Sequence, residues 1–361
     1  MRILTRYLAR EVFFATILVL IALVLLMGFF DLIHELGDLG KGKYHLADIL
    51  LYVLLSAPAN VYNLFPVATL IGTLFAVSKL ASNSELTVMR VSGISLGAIA
   101  KSLMTVGIFF FILTLAFGEF VTPLAERYAQ EMKVRATESL IGQEFRSGVW
   151  VKDEGRFVNV KEVHLNGSEA SLVDIKIYEF DGASRLKRIS LAKRGSYLGN
   201  EEWKLEDVQQ TILSETKTTL NHLPELIWKS VLKPDILSVL LVVPEQMSAF
   251  NLYAYIQHLK DNSQRATRYE IALWTKIVYP TAVIVMILLA LPFSTTQQRA
   301  GAVGVKLFIG ILIGLVFNLV NRLFSSVGQL NDFPPFLSAA LPTLGFLIVA
   351  IVGLWYVERR T

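Results

Sequence analysis

The uncharged runs constrain this chain most. Val12–Phe30, Ile49–Ser78, Ser102–Gly118, Ile277–Gln298, Leu307–Asn321 and Phe333–Val357 contain no Asp, Glu, Lys or Arg. A helix needs roughly 20 apolar residues to cross a hydrocarbon layer, and a fold surrounded by water has nowhere to hide so many such segments. Of the 361 residues, 53% are hydrophobic and 18% charged; soluble domains are usually about a quarter charged. A disordered chain, a collagen-like chain and an ordinary cytosolic enzyme are excluded. The pattern predicts a polytopic α-helical membrane protein with six transmembrane helices and one soluble insert.

The third and fifth runs are short, but Lys101, Glu119, Lys306 and Arg322 at their ends can snorkel to an interface. The second is too long for an upright span and contains Pro58 and Pro66. A tilted or kinked helix projecting beyond the lipid is expected. Arg2, Arg6 and Arg10 precede the first run, and no A-x-A cleavage pattern follows it, so a retained first span is expected. Those arginines recur every four residues, with Ile3, Leu4, Tyr7 and Leu8 on the other face. Either a short helix on the membrane surface or a simple basic flank fits this spacing.

Six spans put both termini on one side. On that side Arg2, Arg6, Arg10, Lys79, Arg90, Lys101, Arg299, Lys306, Arg359 and Arg360 outnumber Glu11, Glu85 and Glu358. The opposite short loops carry Lys41 and Lys43 against Asp31, Glu35, Asp38 and Asp332. This asymmetry predicts cytoplasmic termini and an insert on the outer side. The net charge of +4 then reflects topology, and nucleic-acid binding is not expected.

From Gly148 to Leu232 the period becomes two, as in Arg156-Phe157-Val158-Asn159-Val160 and Val173-Asp174-Ile175-Lys176-Ile177-Tyr178. Turn signals at Asp153–Gly155, Asn166-Gly167, Asp181-Gly182 and Gly199-Asn200 separate the segments. Many short strands of this kind predict an antiparallel sandwich or barrel. Beyond Pro244, Ser248 suits a helix N-cap, with Leu252, Tyr255, Ile256 and Leu259 on one face. The chain has no cysteine, which excludes thiol catalysis, Cys-ligated metals and disulfides. His34, His45, His164, His222 and His258 lack any metal-binding spacing, and neither G-x-S-x-G nor a Walker A sequence occurs.

The loop after the second run reads Ser82-Asn83-Ser84-Glu85-Leu86-Thr87-Val88-Met89-Arg90-Val91-Ser92-Gly93. Ser82 and Glu85 have capping-box spacing, and Gly93 suits the position after a helix. A helix of about two turns exposing Glu85, Leu86 and Met89 fits docking into a partner's groove. On spacing alone a tight connector whose caps merely close it fits better.

The segment Ser84–Ser95 resembles the coupling helix of the YjgP/YjgQ-type permeases, the lipopolysaccharide-export permeases. The likeness continues through Gly118-Glu119-Phe120-Val121-Thr122-Pro123 and Arg268-Tyr269-Glu270-Ile271-Ala272-Leu273-Trp274, and it covers essentially the whole chain. Pro244-Glu245-Gln246-Met247-Ser248 and the following helix look more like the family's G branch than its F branch. The resemblance implies the membrane half of an ABC transporter that extracts lipopolysaccharide from the inner membrane for export to the outer membrane. It implies pairing with the homologous F subunit above a cytoplasmic ATPase dimer, which would hold the ATP and Mg; this chain would bind no cofactor and would be no enzyme. A bitopic jellyroll partner and a periplasmic bridge protein would receive the lipid. The implied layout is residues 1–123 for spans 1–3, with the coupling helix at about 82–93; 124–265 for a periplasmic all-β jellyroll-like domain with flanking helices; and 266–361 for spans 4–6.

Glu85, Leu86, Met89 and Arg90 then become the ATPase-coupling residues. Spans one, two and five would line the lipid cavity, with Leu26, Phe29, Phe30, Leu64, Phe65, Phe317 and Leu319 as its apolar wall. Headgroup phosphates need Arg or Lys near the outer ends of spans. Lys41, Lys43, Arg127, Lys133, Arg135 and Arg322 are the candidates. Arg127 and Arg135 have Glu131 at helical spacing, whereas Lys133 has Ala129, Gln130, Ala136 and Thr137 at those spacings and is expected to be available to a ligand. It is otherwise a solvated lysine. Arg322 either faces a cavity or snorkels. Asp31 stands where the G branch can carry a lysine, and it would repel a phosphate. A second reading is a mechanotransmission-type ABC subunit that moves its outer domain without carrying lipid. A third, an enzyme acting on lipid, lacks an acid/base or metal cluster in the runs.

Overall fold

The computed structural model describes residues 2–137, 149–153, 155–166, 169–181, 185–214, 217–230, 243–261, 264–295, 302–331 and 333–360. Expectations that fall on Gly148, Gly167, Gly182, Leu232 and Arg299 lie outside the described residues.

Helix α1 runs unbroken over Arg2–Leu36. The basic N-terminal segment and the first uncharged run are therefore one rod, about 52 Å long at 1.5 Å per residue. Helix α2 spans Leu46–Ser82 and passes through Pro58 and Pro66 without a break. Proline disturbs the helical ladder near its own position, and neighbouring helices use the carbonyls there. The Tyr279 hydroxyl donates to Asn63 O at 2.5 Å, and Thr122 Oγ1 donates to Pro58 O at 3.2 Å. Helix α2 is also the hub of the bundle. In its most apolar stretch 78% of residues are buried, against 22% in α1. Gly72 brings the two rods together: a Cβ placed there would lie 2.5 Å from Thr16 Cα.

After the short helix α3 (Glu85–Val91) comes α4 (Leu96–Ala116), joined by a π turn, Phe117–Val121, to α5 (Thr122–Ala136). Pro123 has no N–H to give the carbonyl four residues back, and the ladder widens into the π turn just before it. Beyond the sheet follow α6 (Ala249–Asp261), α7 (Thr267–Val278), α8 (Thr281–Thr295), α9 (Ala302–Leu330) and α10 (Pro335–Arg360). Among the described residues five helices are long and apolar enough to cross a membrane, and a sixth exists only if α7 and α8 count as one span. That pair is bent by 53°. The run expected to be a simple span from Ile277 is thus broken at Pro280, whose ring cannot continue the ladder of α7.

The insert holds a six-stranded sheet, ordered β1-β2-β3-β4-β5-β6 and antiparallel throughout. The strands are Val149–Asp153, Arg156–Asn166, Glu169–Phe180, Leu186–Gly199, Glu202–Leu213 and Thr218–Lys229. One face buries Val158, Val160, Ile175, Ile177, Trp203, Leu205, Val208 and Trp228. Simple alternation breaks in several strands, β3 and β5 among them. Leu172 and Ile175 are both buried, as are Leu205 and Val208. Between them sit Asp174 and Asp207 with φ of 51° and 54°. Asp tolerates this left-handed conformation, and one such residue turns the strand so that odd and even positions exchange faces.

Helix α6 returns the chain to the bundle. Ser248 Oγ accepts from Asn251 N at 3.1 Å, and Leu252, Ile256 and Leu259 form its buried face. Gly72→Leu would drive a side chain into the backbone of α1, so we expect loss of the folded bundle, read as aggregation in detergent or a fall of several degrees in Tm.

Candidate docking helix and outer basic site

The chemistry-bearing residues gather at two opposite ends of α1. At its N-terminal end lies α3. Its N-cap, Ser84, is left-handed at φ 61° and makes no side-chain cap bond. Ser82 Oγ instead donates to Lys79 O at 2.8 Å. The Glu85 carboxylate accepts from the Tyr7 hydroxyl at 2.8 Å and from Asn83 Nδ2 at 3.3 Å. The capping box expected between Ser82 and Glu85 therefore does not form: Ser82 is still the last residue of α2. The other end of α3 follows expectation. Gly93 takes φ 88°, Gly93 N donates to Arg90 O and Ile94 N to Met89 O, a glycine stop that a side chain would strain.

Leu86 was expected as an exposed knob. It is 4% exposed and belongs to the same core as Leu8, Leu80 and Leu96. The helix needs one apolar residue to seat it, and Leu86 is that residue. Thr87, Val88 and Val91 face outward instead, with Val91 84% exposed. Met89 and Arg90 are half-buried beside them.

At the other end, α1 meets the loop 37–45 and the last turns of α5. Lys133 Nζ lies 2.7 Å from Glu35 Oε1 and 3.0 Å from Asp38 Oδ2, with the Tyr52 ring centre 5.0 Å away. Glu35 is buried and also accepts from the Tyr44 hydroxyl at 3.1 Å. The expectation that Lys133 has no acidic partner is thus corrected. Its partners come from α1 and the loop, whereas helical spacing reports only neighbours on the same helix. Lys41 pairs with the same Asp38 at 2.6 Å. Lys41 and Lys133 together hold the Asp38 carboxyl below the usual carboxylate range. Lys43 N donates to Ala136 O at 2.7 Å, fastening the loop to the end of α5.

Beside this latch is an open groove of about 910 Å³ lined by Lys43, His45, Asp48, Tyr128, Glu131, Met132, Arg135 and Ala136. Arg127 pairs with Glu131 at 2.8 Å, as its spacing implies. Arg322 is exposed on α9 and does not line the groove. Asp31 is held by Asn60 Nδ2 at 2.7 Å.

The proposed apolar wall divides. Leu26, Phe29, Phe30 and Leu319 are about half exposed, and Leu64 is half-buried. Phe65 and Phe317 are 1% and 0% exposed. Phe65 packs on Phe110 at 5.3 Å and Phe317 on Phe346 at 5.1 Å. These two are corrected from lining to core, because they lie on the faces of α2 and α9 that turn into the bundle. Sequence reasoning also missed Glu119, whose carboxylate accepts from Ala249 N at 2.8 Å and caps α6 from the π turn. Its place in the Gly118-Glu119 motif was the available signal.

Long apolar helices around a buried hub, with a strand-rich insert and a short presented helix, are the architecture of a multi-pass membrane protein. The family described as lipopolysaccharide export system permease LptF/LptG matches residues 6–356, and the chain belongs to that family. It is 32% identical to the lipopolysaccharide export system permease protein LptG of Escherichia coli K12, over 99% of both chains. The LptG of Haemophilus influenzae is 31% identical over 99% of this chain and 98% of its own. The E. coli LptF matches more weakly, 27% over 37% of each chain.

Lys133→Ala would leave Glu35 buried without its cation, and the expected loss is roughly 3 kcal/mol or more. Lys133→Ala with Glu35→Gln should recover much of it in thermal unfolding. Leu86→Ala is expected to cost about 2–4 kcal/mol, while Val91→Ala should stay within about 0.5 kcal/mol. Equal effects would contradict the orientation of α3.

Proposed function

We propose that this chain is the G-type permease subunit of an ABC transporter that extracts lipopolysaccharide from the bacterial inner membrane and hands it to a periplasmic bridge. The full-length likeness to LptG relatives is the observation that carries this reading. In it the bent pair α7–α8 completes six spans, both termini are cytoplasmic, and the sheet is the framework of a periplasmic jellyroll-like domain. An F-type permease pairs with this chain, and a cytoplasmic ATPase dimer supplies ATP and Mg chemistry. A bitopic jellyroll protein and a bridge protein continue the lipid path.

The two ends of α1 then have different tasks. Helix α3 docks on the ATPase through Thr87, Val88 and Val91, flanked by Glu85, Met89 and Arg90, while Leu86 fixes it to the bundle. At the outer rim, Lys41, Lys43 and Arg135 meet anionic headgroup oxygens, for which short charge-assisted bonds are the strongest available contacts. Lys133 is already engaged by Glu35 and Asp38, so a phosphate reaches it only by displacing the more exposed Asp38. Leu26, Phe29, Phe30 and Leu319 offer acyl chains an apolar surface.

Photo-crosslinking residues placed at Leu26, Phe29, Phe30 and Leu319 in the assembled transporter should capture lipopolysaccharide, and those at Phe65 and Phe317 should not. Absence of adducts at all four exposed positions would exclude lipid passage along this surface and favour a subunit that only transmits motion. Glu85→Lys should abolish transport while the adducts persist; normal transport would remove the docking role of α3.

A further inference from the structure

The first turns of α1 are tied sideways at three points. Thr5 Oγ1 lies 3.2 Å from Ser102 Oγ on α4, Tyr7 donates to Glu85 on α3 at 2.8 Å, and Glu11 pairs with Lys79 near the end of α2 at 3.2 Å. The covalent route from α2 to α3 is less direct. It turns through Asn83 and the left-handed Ser84, so the two helices are not one rod. A push on α3 along that route meets a bend. The Tyr7–Glu85 bond bypasses it and leads into α1, which is continuous as far as Glu35 and the Lys133 latch.

We propose that Tyr7 is a positioning residue for the docking helix: its hydroxyl orients the Glu85 carboxylate and makes α1 a second carrier of the movement imposed on α3. This rests on the docking role of α3 proposed above. The bond is exposed in the isolated chain, where water competes with it. A docked protein covering Glu85 would lower the local dielectric and strengthen the bond at the moment force is applied. Tyr7 is suited to this task because Leu8 beside it is fully buried and fixes the direction of the turn.

The test is Tyr7→Phe in the complete permease–ATPase complex in proteoliposomes containing lipopolysaccharide. ATPase co-purification should be unchanged, and maximal ATP hydrolysis should stay within about twofold. Lipid delivered per ATP should fall roughly tenfold, the scale of one hydrogen bond to a charged group. Adding Glu85→Gln should lower the yield no further than Glu85→Gln alone. An unchanged yield in Tyr7→Phe, or additive effects in the double variant, would overturn the inference. So would a parallel loss of hydrolysis, yield and Tm, which marks a structural prop. Normal transport by Glu85→Lys would sink the docking role itself, whereas a defective Glu85→Lys beside a normal Tyr7→Phe would sink only the tie.

Discussion

Within a hydrocarbon layer water is absent, so backbone groups must find partners inside the protein and helix association gains little from the hydrophobic effect. Close packing has to hold the bundle instead. Helix α2 answers this constraint. It is the most enclosed of the long helices, and at Gly72 the backbone of α1 comes as near as any side chain would forbid. Near its two prolines, Tyr279 and Thr122 tie it to its neighbours by donating to the carbonyls of Asn63 and Pro58. The other long helices then need only one packed face each, which leaves wide apolar surfaces on α1 and α9 for lipid or for a second subunit.

The polar contacts sit where that constraint relaxes, at the ends. Tyr7–Glu85 and Glu11–Lys79 tie one end of α1, and Glu35–Lys133–Asp38 ties the other. Glu119 joins the π turn to the first turn of α6, and Lys276 donates to Met247 O at 2.5 Å close by. Helix α6 and the turn before it are therefore attached to the bundle by more than their chain connections. Cations share acids at the C-terminal end of α1, where Asp38 serves both Lys41 and Lys133.

Much of the architecture was legible from charge. Uncharged runs marked the long helices, and period-two segments marked the strands. Local pattern was less reliable where a distant residue decided the outcome. Ser82 and Glu85 have the spacing of a cap, but Tyr7 claims the carboxylate. Lys133 has no acid three or four residues away on its own helix, yet two come from α1 and the following loop. Leu86 reads as exposed because a seven-residue helix has too few positions to reveal which side is seated. Strand parity changed at Asp174 and Asp207 because backbone conformation at one residue overrides alternation along the rest. The glycine stop at Gly93 and the Arg127–Glu131 pair involve only near neighbours, and both were readable.

The π turn at Phe117–Val121 acts as a phase shifter. It inserts one residue into the winding between α4 and α5, so everything downstream is rotated by about 100° relative to an uninterrupted helix. That rotation decides which side of α5 presents Glu126, Ala129 and Lys133 to the first two helices and which side presents Tyr128, Glu131 and Arg135 to the open groove. A family built on this scaffold can re-aim its outer cations by gaining or losing a single residue here, while both adjoining helices keep their sequences.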